Sequence, residues 1–145
     1  MHELPRQLSP EELAELFEGR TRFVELLSGL EDPLGQARRV LEELPEPEKI
    51  EALNAHPPIG GRDGSALSMR EQGSDEDPVL LTALARLNKS YEEKFGFRFV
   101  VFVNRRPRSE ILHVLRERLQ NRRDDELATG LDELVAIALD RWLSR

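Results

Sequence analysis

An all-α bundle of several helices with one short extended segment is the architecture this sequence predicts, on three observations. Apolar residues recur at helical spacing along most of the chain, and a small polar residue followed by proline marks three helix starts. Only one run, "FRFVVFV" (Phe97 to Val103), has the β-branched and aromatic composition of a strand. The 145 residues suit one domain, 1–145, since a chain of this size buries roughly two thirds of the surface its unfolded form exposes.

Taken in order, the first helix starts at Ser9-Pro10, with Glu12 in its first turn and Leu13, Leu16 and Phe17 as its apolar stripe. A second starts at Asp32-Pro33 and carries Leu34, Ala37, Val40, Leu41 and Leu44. Proline fits the first helical position because its missing N–H has no partner there anyway. The helix containing Ile50 and Leu53 is expected to end near His56, because a residue before proline is pushed out of the α region. Asp77-Pro78 opens a helix with Leu80, Leu81, Leu84, Leu87 and Tyr91, which stops at Gly96 as C-cap. Another runs from about Pro107 with Ile111, Leu112, Leu115 and Leu119, and the last spans about Asp124 to Leu143. Having no second strand-like run to pair with, residues 97–103 need side chains, water or a ligand as backbone partners.

Composition narrows the functional classes. Charged residues at 34% and apolar residues at 39% describe a globular protein, and no apolar run approaches the ~20 residues needed to cross a bilayer. "MHELPRQLSPEELAELF" has no apolar stretch after a basic one, and the absence of cysteine excludes disulfides and thiolate chemistry, so a cytoplasmic address is expected. A net charge of -7 argues against nucleic acid or an anionic membrane as partner. The basic run "NRRPR", from Asn104, reads as a solvated turn.

Three places carry candidate chemistry. Of the three histidines, His2 lies at the terminus and His113 among helical residues, whereas His56 opens "HPPIGG". A helix C-terminus above a Pro/Gly loop favours a protonated imidazole there, in the kind of loop that often carries catalytic groups. "SMREQ", Ser68 to Gln72, has the Ser-x-x-Glu pattern of a capping box. The same pattern sets the Ser68 hydroxyl, the Glu71 carboxylate and the Gln72 amide at the positive end of a helix, where an anion is also favoured. In the last helix, Leu127, Leu131, Leu134, Ala138 and Arg141 follow one another at spacings of four and three, turning Arg141 inward. Its partner is then a carboxylate, from a side chain such as Glu71 or from a ligand. A neighbouring line through Leu131, Val135, Ala138 and Trp142 instead leaves Arg141 at an edge, packed by its stem. If the partner is a ligand, Arg141→Met leaves the empty protein as stable as before, or more so. Nothing in the sequence asks for a metal.

Together, a histidine-proline loop, "SxxEQ", "LNxxYxxKFGFxFVxxV", "RxxxEIL" and an arginine near the end of the last helix resemble the 2-oxo-4-hydroxy-4-carboxy-5-ureidoimidazoline (OHCU) decarboxylase family. Here the central block reads "LNKSYEEKFGFRFVVFVNRRPRSEIL". The resemblance implies an all-helical homodimer that uses no metal or organic cofactor. It further implies a small ureide substrate, OHCU, converted to (S)-allantoin and carbon dioxide in urate breakdown. It makes His56, Glu71 and Arg141 the catalytic residues, with Pro57 beside the histidine. Ser68 and Gln72 would hold the polar edge of the substrate, and the backbone around Phe97 and Phe99 would bond its ring. Two features depart from the family pattern. Pro58 stands where the family has an acidic residue, with a shorter loop to Ser68, and "GRTRFVELLSGLEDP" lacks a Ser-Pro-Trp stretch. Two other readings stand beside the decarboxylase: a helical ligand-binding protein without the reaction, and a ureide hydrolase in which the same His and Glu activate water.

Overall fold

Local capping chemistry sets the helices. The computed structural model describes residues 7–58 and 77–144 and contains seven helices among them. In α1 (Pro10–Phe17) the Ser9 hydroxyl accepts from the Glu12 N–H and the Glu12 carboxylate accepts from the Ser9 N–H, both at 3.1 Å. α2 (Arg22–Leu27), capped by Thr21, was not expected, because six residues are too few to show a helical period. Asp32 caps α3 (Pro33–Glu43) through the Gly35 N–H, and α4 (Glu46–Asn54) follows directly. Asp77 accepts from the Val79 N–H at the start of α5 (Pro78–Phe95), which ends at Gly96 with a left-handed φ of 82°. α6 (Arg108–Arg118) and α7 (Arg123–Leu143) complete the described chain.

α7 is the spine, packing against α1, α3 and α4, while α2 packs on α1, α3 and α4, and α5 pairs with α6. Gly130 permits the close approach of α7 to α4, since a Cβ there would lie 3.3 Å from Leu53 Cδ2. The buried apolar side chains form one cluster that includes Phe17, Phe23, Leu53, Leu84, Phe99 and Leu134. Each such side chain contributes roughly 1.5–3 kcal/mol by leaving water. α5 buries Leu84, Asn88, Tyr91 and Phe95, leaving Leu80, Leu81 and Leu87 only partly covered. On α7 the inward line wins, for Leu131, Leu134, Ala138 and Arg141 are all buried.

Residues 97–103 are extended and lie in no strand, with Phe97, Phe99, Val100, Val101 and Val103 buried. Protein side chains serve their backbone. The Arg98 N–H donates to Asn54 Oδ1 (2.9 Å), Arg118 Nη1 donates to the Val100 carbonyl (2.7 Å), and the Phe102 N–H donates to Glu133 Oε1 (3.3 Å). Arg106 turns back from the basic run to donate to the carbonyls of Phe102 (2.6 Å) and Val103 (3.0 Å), so that run is more than a solvated turn. The turn itself passes through Asn104 and Arg105 at positive φ. Beneath the segment, Glu126 is fully buried and accepts from Tyr91 Oη (2.6 Å), Arg118 Nε (2.8 Å) and Asn121 Nδ2 (2.8 Å). The Arg118 guanidinium lies 4.6 Å from the centroid of the Phe99 ring.

Candidate active site

α4 stops where the His56-Pro57 bond requires it to. Asn54 is its last residue, and the His56 N–H closes the final turn onto the Leu53 carbonyl at 3.1 Å. His56 and Pro57 are both buried, and among the described residues His56 Nδ1 has no hydrogen-bond partner. The expectation of a protonated imidazole is overturned. Burial, and after it the Arg141 charge, push the His56 pKa from 6.5 to about 4; Glu18 acts in the opposite sense and Arg98 adds to the fall. A helix C-terminus favours the cation by a smaller amount than desolvation and a neighbouring guanidinium oppose it. At neutral pH His56 is therefore an uncharged, buried imidazole.

Arg141 comes from the last turn of α7 and is 3% exposed. Its Nη2 lies 2.9 Å from Glu18 Oε1, and its Nη1 donates to the carbonyls of Leu16 (2.9 Å) and Glu15 (3.4 Å). The guanidinium thus caps the C-terminal end of α1, where the last carbonyls lack helical partners. Glu18 ends that helix in a left-handed conformation with φ 69°, which an L residue other than glycine seldom adopts. The protein carboxylate named for Arg141 from the sequence was Glu71, yet among the described residues it is Glu18. Nothing in the spacing of "EELAELFEGR" marks Glu18, because its partner lies at the other end of the chain.

The structure brings His56, Pro57 and Arg141 to one place, where the C-terminal ends of α1, α4 and α7 converge. Phe97 and Phe99 are 2% and 1% exposed, and their rings pack on Tyr91 in the core. None of the backbone bonds traced along 97–103 involves either residue. Ser68, Glu71 and Gln72 lie outside the described residues, as does His2. His113 sits on the exposed face of α6 beside Glu117. Arg98 joins the site unannounced by the sequence, with its Nη1 donating to the His56 carbonyl at 2.8 Å. Among the described residues no group of three or more His, Cys, Asp or Glu side chains could hold a metal ion, and no helix is long and apolar enough to cross a membrane. A neutral imidazole beside a buried ion pair can take up a proton from a bound substrate.

Comparison with known proteins gives the family of the chain. The OHCU decarboxylase family profile matches residues 3–143. An OHCU decarboxylase of Haloferax volcanii is 30% identical over 131 residues, covering 87% of this chain and 78% of that protein. The Mus musculus enzyme of the same name is 34% identical over 122 residues, covering 77% and 67%, respectively. The one from Xenopus laevis is 33% identical over 106 residues, which cover 67% of this chain and 61% of that relative's length. In three dimensions, the crystal structure of an OHCU decarboxylase in the presence of (S)-allantoin superposes with a TM-score of 0.77 at 26% identity, over 92% of this chain and 96% of the other. An all-α chain with that family profile over nearly its whole length belongs to the OHCU decarboxylase family.

Proposed function

We propose that the chain, acting as a single domain, is a carboxy-lyase that converts OHCU to (S)-allantoin and carbon dioxide in urate degradation. The observation that carries the mechanism is the buried, neutral His56, whose Nδ1 has no partner among the described residues, beside the Arg141–Glu18 pair. When the bond from the ring carbon to the carboxylate breaks, its electron pair moves into the adjacent C=N, and the ring nitrogen takes a proton. The resulting enol gives up its hydroxyl proton and gains one at the ureido-bearing carbon, which sets the chirality of allantoin. The substrate's own C=N is the electron sink, leaving orientation, charge and proton transfer to the protein. His56 receives the hydroxyl proton, a step for which an uncharged imidazole is suited and an imidazolium is not. Arg141 offers its charge to an anionic or carbonyl edge of the substrate, while Glu71, Ser68 and Gln72 hold the hydroxyl and ureido groups. Pro57 keeps the histidine loop rigid, and the backbone at Phe97 and Phe99 meets the ring. A cytoplasmic homodimer fits the family resemblance.

Freshly made OHCU, followed by circular dichroism with and without the protein, tests this reading. Rapid appearance of (S)-allantoin supports it. An unchanged spontaneous decay to racemic product favours a binding protein, and a different product favours a hydrolase.

A further inference from the structure

We propose that Arg98 is a positioning residue, which locks the His56 loop to the extended segment 97–103 so that two walls of the substrate site keep a fixed spacing. The inference rests on the function proposed above and adds to it a residue that the family motif leaves open, the x of "KFGFxFV". Three bonds join the two walls here. Arg98 Nη1 donates to the carbonyls of His56 (2.8 Å) and Asn54 (3.1 Å), and the Arg98 N–H donates to Asn54 Oδ1 (2.9 Å). On its other edge, Arg98 Nε stands 3.5 Å from Glu92 Oε1 of α5, which orients the guanidinium.

The chemistry of the tie is specific. A helix that ends at proline leaves its last carbonyls without N–H partners, and a planar guanidinium can bridge two of them while its charge complements the helix terminus. Holding the His56 carbonyl limits rotation of the His56 backbone and so aims its imidazole. A displacement on the order of 1 Å at a reacting group can lower a rate about a hundredfold. Arg98 also belongs to the set of charges felt by His56, together with Arg141 from α7 and Glu18 from the end of α1. A plain structural strut would not need to be charged.

The test compares Arg98→Lys, Arg98→Gln and Arg98→Met in the full chain, with far-UV circular dichroism and thermal melting to establish folding. Turnover of OHCU should fall about ten- to a hundredfold in the Met and Gln variants, with KM changed less than about threefold. The Lys variant, which keeps the charge but offers a single nitrogen in place of the planar fork, should retain more activity than either. An NMR titration of His56, read without substrate, should move to higher pH in Met and Gln and stay near the wild-type position in Lys. Wild-type turnover and an unmoved His56 titration in a folded Arg98→Met protein would overturn the proposal. Should the Met variant fail to fold, Arg98→Lys decides, because turnover equal to wild type would show that the two-carbonyl bridge has no role. If wild-type protein leaves OHCU decay unchanged, the proposed function falls, whereas the His56 titration still reports whether Arg98 governs the histidine.

Discussion

Arg141 and Glu18 meet at 2.9 Å with 1% and 8% of their side chains exposed, an ion pair enclosed between the ends of α7 and α1. It changes what Arg141→Met should do. With a ligand as its only partner, Arg141 could be replaced without loss of stability. Because Glu18 and two α1 carbonyls hold it, the substitution should lower stability by about 3–5 kcal/mol and abolish turnover. Glu18→Gln should be milder, and the double variant Glu18→Gln, Arg141→Met should be more stable than the sum of the single changes allows. Denaturant unfolding of the four proteins gives the coupling directly. Additive effects would mean that the pair contributes nothing.

Substitution of His56 by Asn should remove acceleration of OHCU decay while leaving the helical spectrum intact. It should also alter the dependence of stability on pH. The folded imidazole titrates at about 4 against 6.5 when unfolded, so unfolding takes up a proton within that window. Stability contributed through His56 is thus complete above pH 6.5 and declines as pH falls towards 4, by roughly 3 kcal/mol in all. Equilibrium unfolding of wild type and His56→Asn across that range should show a steeper slope in the wild type. Parallel slopes would place the imidazole in water instead.

The buried cluster around Glu126 offers a test of the scaffold. Burial and the bond to Glu126 raise the Tyr91 pKa, and Tyr91 is the one tyrosine in the chain. Its phenolate absorbance should therefore emerge on alkaline titration only as the protein unfolds. Tyr91→Phe should cost about 1–2 kcal/mol. Glu126→Leu, which strands Arg118 without its carboxylate, should cost about 3–5 kcal/mol. A Glu126→Leu protein as stable as wild type would show that the carboxylate does not organise this layer.

Ser68 and Glu71 are best separated by the ratio of activity loss to stability loss. A simple helix cap predicts about 1 kcal/mol lost in Ser68→Ala and little change in turnover. For a substrate-binding carboxylate, Glu71→Gln should depress turnover far more than it depresses melting temperature. Similar small effects in both variants would reduce the pair to a cap.

What could be read from the chain in advance was local. Ser9-Pro10, Asp32-Pro33 and Asp77-Pro78 each start a helix because the capping oxygen and the proline lie within a few residues of the turn they stabilise. Gly96 stops α5 for the same kind of reason. Spacing within one helix allowed Arg141 to face inward or lie at an edge, and packing decided for the inward line. The partner of Arg141, Glu18, was not legible, since only the packing of α1 on α7 brings the two together. The protonation of His56 was misjudged because a helix end can be seen in the sequence, whereas burial and the approach of a guanidinium are products of the whole fold. For residues 97–103 composition revealed the extended backbone but not which side chains from α4, α6 and α7 would bond to it.

That same ribbon bears on how the protein behaves outside its native state. "FRFVVFV" combines aromatic and β-branched residues without proline, the type of sequence that stacks into intermolecular cross-β assemblies when exposed. In the folded chain arginines occupy carbonyls that could otherwise template another molecule, Arg118 at Val100 and Arg106 at Phe102 and Val103. Arg98 within the run, and Arg105 and Arg106 after it, place like charges where copies would have to stack, as gatekeepers do. Neutralising Arg105 and Arg106 should therefore shorten the lag before fibril formation in mild denaturant more than it changes the unfolding midpoint.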